Sequence, residues 1–191
     1  EFVIDGTATF DFQREWLPDP YKHKPTLLHI GTLVTAIEPG ASVLFDWALE
    51  VSELAPIIFD PNIRPAVIPD RDSYRAQVEK WIGISSVVKV SDDDLSWLYP
   101  GEDHVVIAKR WIADDVSVVV ITRGAEGLIG VTAQGVVTVP GVKVQVVDTI
   151  GAGDTVGAVV AEAVKEIGLD ELHSAAFSKV TINAALCSSS K

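Results

Sequence analysis

Apolar residues follow two alternating patterns along the chain. Short β-branched runs stand at 27–34, 56–59, 86–90 and 117–121, and between them lie stretches at 41–55, 71–82 and 103–113 with helical spacing of apolar positions. A shorter stretch of the second kind covers 92–98. Helical spacing marks a helix with one buried stripe, whereas continuous Val/Ile runs mark strands buried on both faces. Their alternation predicts an α/β fold, an open and mostly parallel sheet with helices on both faces. Ligands of such sheets bind beyond the C-terminal ends of the strands.

Two regions depart from the alternation. The runs 128–132 and 136–139 flank Gln134-Gly135 and read as a hairpin, so the parallel sheet is expected to carry an antiparallel edge. At the other end, residues 1–15 hold strand-forming residues with no helix before the next run, and are expected to form lid strands, part of a protruding β-sheet. The chain opens on Glu1-Phe2-Val3-Ile4, as if in mid-strand, and contains no methionine, so it reads as part of a longer protein. With 191 residues, 48% of them hydrophobic, residues 1–191 are expected to bury one core and form a single domain.

The densest chemical signal is Val144-Gln145-Val146-Val147-Asp148-Thr149-Ile150-Gly151-Ala152-Gly153-Asp154-Thr155. It reads as a strand, a glycine-rich turn and a helix that opens on a carboxylate. Val156, Val159, Val160, Ala163, Val164 and Ile167 form the buried stripe of that helix, and Gly168 is placed to stop it. The first N–H groups of a helix lack internal partners, and with the helix dipole they attract an anion such as phosphate. A carboxylate beside a phosphate is repelled unless it has its own task. Asp154 would serve as a base for a hydroxyl attacking that phosphate, although Asp also serves well as a helix N-cap. A dinucleotide fingerprint would need glycine where Val156 stands, and no segment supplies a P-loop.

Charge narrows the partners. A formal charge of −12 without a local Lys/Arg cluster speaks against a nucleic-acid surface, and an acidic protein that handles phosphate needs a placed cation or a metal. No apolar run is long enough for a membrane span, and the N-terminus lacks a signal-peptide pattern. Cys187 is the single cysteine, so no internal disulfide can form and a reducing cytoplasm fits. His23, His29, His104 and His173 have no metal-ligand spacing and read as structural or solvated; the five tryptophans read as packing residues.

The segment Asp148-Thr149-Ile150-Gly151-Ala152-Gly153-Asp154 resembles the Asp-Thr-x-Gly-Ala-Gly-Asp signature of the ribokinase-like (PfkB) carbohydrate kinases. Asp60-Pro61-Asn62-Ile63-Arg64-Pro65, Lys89-Val90-Ser91-Asp92-Asp93-Asp94-Leu95, Thr122-Arg123-Gly124-Ala125-Glu126-Gly127 and Ile182-Asn183-Ala184-Ala185 agree in the family's order, and the set is similar to fructokinases in particular. The resemblance implies an ATP-dependent kinase that phosphorylates a sugar hydroxyl, with fructose first and ribose, 2-keto-3-deoxygluconate or a nucleoside as other acceptors. A nucleotide-binding fragment without activity is the reading from another class. A nicotinamide-dependent oxidoreductase is disfavoured by Val156 and Asp154.

By the same resemblance Asp154 would be the base, the N–H groups of Gly151, Ala152 and Gly153 would hold the γ-phosphate, and Arg64 would reach substrate or phosphate. Lys89, Ser91, Thr122, Gly124, Gly127 and Asn183 would lie on the nucleotide side. Asp94 falls where relatives order Mg²⁺, although Ser91 and Asp94 replace the usual Asn and Glu. The family pattern also allows a monovalent cation near Asp148 and Ile150, and a homodimer through the lid strands. Relatives carry further sequence before Glu1 and after Lys191, including residues that grip the sugar.

Overall fold

The computed structural model describes residues 8–141 and 151–172. Among the described residues six strands form one sheet in chain order: β1 (Leu28–Gly31), β2 (Ile57–Asp60), β3 (Val87–Ser91), β4 (Val118–Thr122), β5 (Leu128–Thr132) and β6 (Gly135–Val139). Strands β1 to β4 run parallel, and the β5–β6 hairpin adds the expected antiparallel edge. The helices are α1 (Pro20–His23), α2 (Gly40–Ser52), α3 (Arg71–Ile82), α4 (Asp92–Leu98), α5 (His104–Ala113) and α6 (Ala152–Leu172). The fold is the open, mostly parallel α/β sheet that the alternation predicts.

Strand parity divides the core into two layers. Ile57, Phe59, Val88, Val90, Val119 and Ile121 point to one face and pack with α2 to α5 through Leu44, Ala48, Val78, Trp81, Leu95 and Ile107. The intervening residues Ile58, Val87, Val118 and Val120 point to the other face and meet Val156, Val160, Ala163 and Val164 of α6. A side chain's neighbours in the centre of the sheet therefore follow from whether its position is odd or even. Helix ends follow their cap residues: Asp70 accepts N–H bonds from Asp72 and Ser73 at the start of α3, and Asp103 accepts from Val106 at the start of α5. Gly168, at φ 75°, breaks helical geometry within α6 where the glycine was expected to stop it.

Three expectations change. The strand expected over 27–34 ends at Gly31, which lies so close to Asp60 that a side chain there would meet its carbonyl, and Thr32, at φ 60°, turns the chain into a 3-10 segment, Thr32–Thr35. The helix expected over 41–55 is Gly40–Ser52. Of the expected lid, residues 1–7 lie outside the described residues, and the rest holds 3-10 turns at Ala8–Phe10 and Arg14–Trp16 instead of strand. Phe12 and Leu17 pack on the α2–α5 core, and Phe10 lies so close to Gly40 that a side chain at 40 would clash. Folding onto the body satisfies these aromatics in a way a protruding strand would not.

Among the described residues no helix is long and apolar enough to cross a membrane. Ile121 is fully buried, so Ile121→Ala should destabilise the chain by roughly 2–5 kcal/mol in urea denaturation. Val136, 41% exposed on the hairpin, should tolerate alanine within about 0.5 kcal/mol.

Candidate functional site

The parity that places Ile58 and Val87 against α6 also places the next residues on that face, Asp60 of β2 and Lys89 of β3, at the C-terminal edge of the sheet. Gly31 pairs with Asp60, Ile58 with Val87, and Lys89 with Val120, so the four parallel strands β1 to β4 are in register towards this edge. Lys89 Nζ donates to Asp60 Oδ2 at 2.7 Å, and the two side chains are 7% and 9% exposed. Asp60 Oδ1 is buried and has no hydrogen-bond partner among the described residues. A buried charge is tolerated only when paired, and a carboxylate oxygen left without a donor is unusual.

The start of α6 lies over this pair. Gly151 adopts φ 78°, a left-handed conformation that suits glycine, and its carbonyl accepts bonds at 2.9 Å from both the N–H and the hydroxyl of Thr155. A Cβ added at Gly153 would stand 3.0 Å from Lys89 Nζ. Glycine at 153 therefore makes room for the ammonium as well as for an incoming anion. Asp154, exposed in the first turn, borders a cleft of about 140 Å³ lined also by His29, Ile30, Gly31, Thr32, Asp60 and Asn62. Thr32 (φ 60°) and Asn62 (φ 42°) both sit in the left-handed region, and such strain in a β-branched residue concentrates at functional sites. An anion at the start of α6 would meet helix N–H groups, with the buried Lys89 ammonium behind Gly153 and Asp60, and Asp154 in the cleft can take a proton from a neighbouring hydroxyl.

The sequence-predicted residues divide into two sets. Of the first set, Asp154 lines the cleft; Lys89 does not line it but bonds the lining residue Asp60 and lies 3.0 Å from where a Cβ on Gly153 would stand, and Gly151 and Ala152 lead into the same turn of α6. Arg64 does not line the cleft; its guanidinium donates to the carbonyls of Asn62 (3.1 Å) and Ile63 (3.0 Å), within its own loop. Thr122 ends β4 with a long 3.5 Å bond to the Val90 carbonyl; Gly124 and Gly127, both at positive φ, shape the turn that follows. Gly127 packs so closely on the β6 end that a Cβ would clash with the Val139 carbonyl. Asn183, Asp148 and Ile150 lie outside the described residues.

Asp94 and Ser91 form a capping box at the start of α4. Ser91 Oγ accepts from Asp94 N–H at 3.0 Å, and Asp94 Oδ2 faces Ser91 N–H at 3.5 Å. Asp94 Oδ1 accepts from Ile63 N–H at 3.1 Å, so one carboxylate ties α4 to the loop that carries Asn62. Burial pushes the Asp94 carboxyl above its ordinary range; the bonds from Ser91 and Ile63 oppose this, and the nearby Asp60 carboxylate adds to it. Both oxygens of Asp94 face backbone N–H groups. Among the described residues, no group of three His, Cys, Asp or Glu side chains could hold a metal ion.

Asp60, Asn62, His29, Gly31 and Thr32 line the cleft without having been singled out as site residues. Their signals are legible in retrospect: a charged residue closing the apolar run Ile57-Ile58-Phe59, and Gly31-Thr32 after the buried Ile30. His29 reads as solvated from sequence and is exposed, yet its ring lies where a Cβ on Gly157 would meet it at 3.1 Å, one turn beyond Asp154.

The sequence profile of the pfkB family carbohydrate kinases matches residues 1–183. A fructokinase of Rhizobium leguminosarum bv. trifolii is 36% identical over 172 residues, covering 85% of this chain and 53% of the relative. A fructokinase of Vibrio alginolyticus is 32% identical over 129 residues, covering 66% and 42%. The crystal structure of fructokinase from Vibrio cholerae O395 with fructose, ADP and calcium superposes with a TM-score of 0.83 at 26% identity, over 99% of this chain and 61% of that one. A putative ribokinase II of E. coli shares the fold at a TM-score of 0.79 and 20% identity, over 99% of this chain and 59% of that one. This chain spans about half the length of the curated relatives it matches.

Asp94→Ala removes a helix cap and leaves the Ile63 N–H without its acceptor, so it should lower stability by about 2–3 kcal/mol in chemical denaturation.

Proposed function

Because this chain belongs to the pfkB family of carbohydrate kinases, we propose that the full-length protein transfers the γ-phosphoryl group of ATP to a hydroxyl of a sugar, with D-fructose as the first acceptor to test. The observation that carries the proposal is that Asp154, in the first turn of α6, lines one cleft beyond the strand ends with Asp60, to which the buried Lys89 ammonium is bonded beneath Gly153. The fructose and ADP bound in the Vibrio cholerae enzyme support this acceptor and nucleotide. The cytoplasm, where ATP is abundant, is the expected location.

In this reading the acceptor hydroxyl lies against Asp154, which removes its proton as the oxygen attacks the γ-phosphorus in line with the departing ADP oxygen. The N–H groups of Gly151, Ala152 and Gly153 and the ammonium of Lys89 neutralise charge on the transferred phosphoryl oxygens. Their positions are set before the substrate arrives, so little reorganisation is needed during reaction. Thr122, Gly124 and Gly127 at the end of β4 are proposed for the nucleotide side. Arg64 would have to release the Asn62 and Ile63 carbonyls to reach an anion. A divalent cation would be held chiefly by nucleotide phosphates and water, and no step is assigned to it.

Asp154→Asn keeps the size of the side chain and removes the base, so sugar-dependent ADP release by the full-length protein should fall roughly 10²–10⁴-fold. ATP affinity, measured by calorimetry, should change little. Near-normal turnover in this variant would remove Asp154 from the role of base. The same assay with ribose, 2-keto-3-deoxygluconate and nucleosides ranks the acceptors, and D-fructose should give the highest kcat/KM.

A further inference from the structure

The Asp60–Lys89 pair admits a simpler reading, two buried charges that neutralise each other. Three observations go beyond it. Asp60 keeps Oδ1 without a donor among the described residues although its side chain is only 9% exposed, and this residue borders the cleft beside Asp154. The opposite side of Lys89 is the backbone of Gly153, where even a methyl group would press on Nζ. An ammonium carries three donors, and the bond to Asp60 uses one of them. A pair serving packing alone would bury its remaining acceptor against a donor.

We propose that Asp60 is a positioning residue of the site: its carboxylate fixes the Lys89 ammonium beneath Gly153, so that the remaining N–H groups of Lys89 address an anion held at the start of α6. The proposal rests on reading the cleft as a phosphoryl-transfer site. Asp60 on β2 and Asp154 on α6 both line the cleft, and an anion entering between them meets repulsion from each. Lys89, between Asp60 and Gly153, supplies the compensating positive charge. Without Asp60 the flexible lysine stem could carry the charge away from the turn, and the anion would lose its nearest fixed cation. Asp60 thus acts through Lys89 and makes no bond to the transferred group.

The test uses the full-length protein and the variants Asp60→Asn, Lys89→Met and the two combined. The first readout needs no catalysis: the rise in melting temperature on titration with inorganic phosphate. Lys89→Met should abolish the rise, Asp60→Asn should diminish it, and the double variant should match Lys89→Met because Asp60 has nothing left to position. The second readout is kinetic. Asp60→Asn should lower kcat roughly 10–100-fold, as the loss of outer-shell partners does elsewhere, while KM for the sugar stays within about threefold. If Asp60→Asn fails to fold, Asp60→Ser, which leaves room for water beside the ammonium, takes its place. An intact phosphate-induced rise in the Asp60 variant, no rise in the parent protein, or additive losses in the double variant would each overturn the role of Asp60. A parent protein that gains stability from phosphate but shows no sugar-dependent ADP release contradicts the kinase reading alone.

Discussion

A lysine and an aspartate buried together at the edge of a parallel sheet constrain everything placed above them. Lys89 and Asp60 meet at 2.7 Å where two strands end, on the face that α6 covers. Removing one partner of such a pair costs about 3–5 kcal/mol, whereas two well-packed apolar residues in their place would be neutral or better. The pair therefore adds little to stability over a hydrocarbon alternative. It puts a cation inside an acidic protein at the point where the helix start is already receptive to an anion. Glycine at 153 suits the same geometry, since a Cβ there would stand 3.0 Å from the ammonium.

The surrounding loops are held with matching stiffness. Asp94 ties the start of α4 to Ile63, and Arg64 closes on the carbonyls of Asn62 and Ile63, so the loop after β2 is braced from both sides. That loop carries Asn62 in a left-handed conformation into the cleft, opposite Thr32 in the same backbone region. Neither conformation would persist without surrounding contacts that enforce it. Residues that resemble direct ligands in the linear motif can thus act as supports in space. Asp94 is the clearest example: a carboxylate in a motif associated with metal, engaged with two backbone N–H groups.

Much of the architecture is legible from periodicity, because Val/Ile runs and helical stripes report burial directly and burial defines the layers. The parallel sheet, the hairpin edge and the α6 stripe follow from patterns at 56–59, 86–90, 117–121, 128–139 and 154–167. The end of β1 does not, since Thr32-Leu33-Val34 is as strand-like as what precedes it, yet the chain leaves the strand at Thr32, whose φ is 60°. The 3-10 turns at Ala8–Phe10 and Arg14–Trp16 escape as well, since the packing of the Phe12 ring on the core and of the Phe10 backbone on Gly40 is tertiary and not a local preference. In the cleft, Asp154 and the glycine turn stand out because their chemistry is contiguous. Asp60 and Lys89 are 29 positions apart, and only strand register and parity bring them together. Cap geometry was readable too: the Ser91-x-x-Asp94 spacing favours an N-terminal box as much as a metal motif.

The structure of the full-length protein with ADP, an aluminium fluoride mimic of the transferred phosphoryl group and D-fructose tests the central claim most directly. Lys89 Nζ should lie within hydrogen-bonding distance of both Asp60 and the fluoride mimic, with an Asp154 oxygen on the acceptor hydroxyl in line with the mimic. A mimic bound away from the start of α6, with Lys89 contacting Asp60 alone and Asp154 facing solvent, would contradict it.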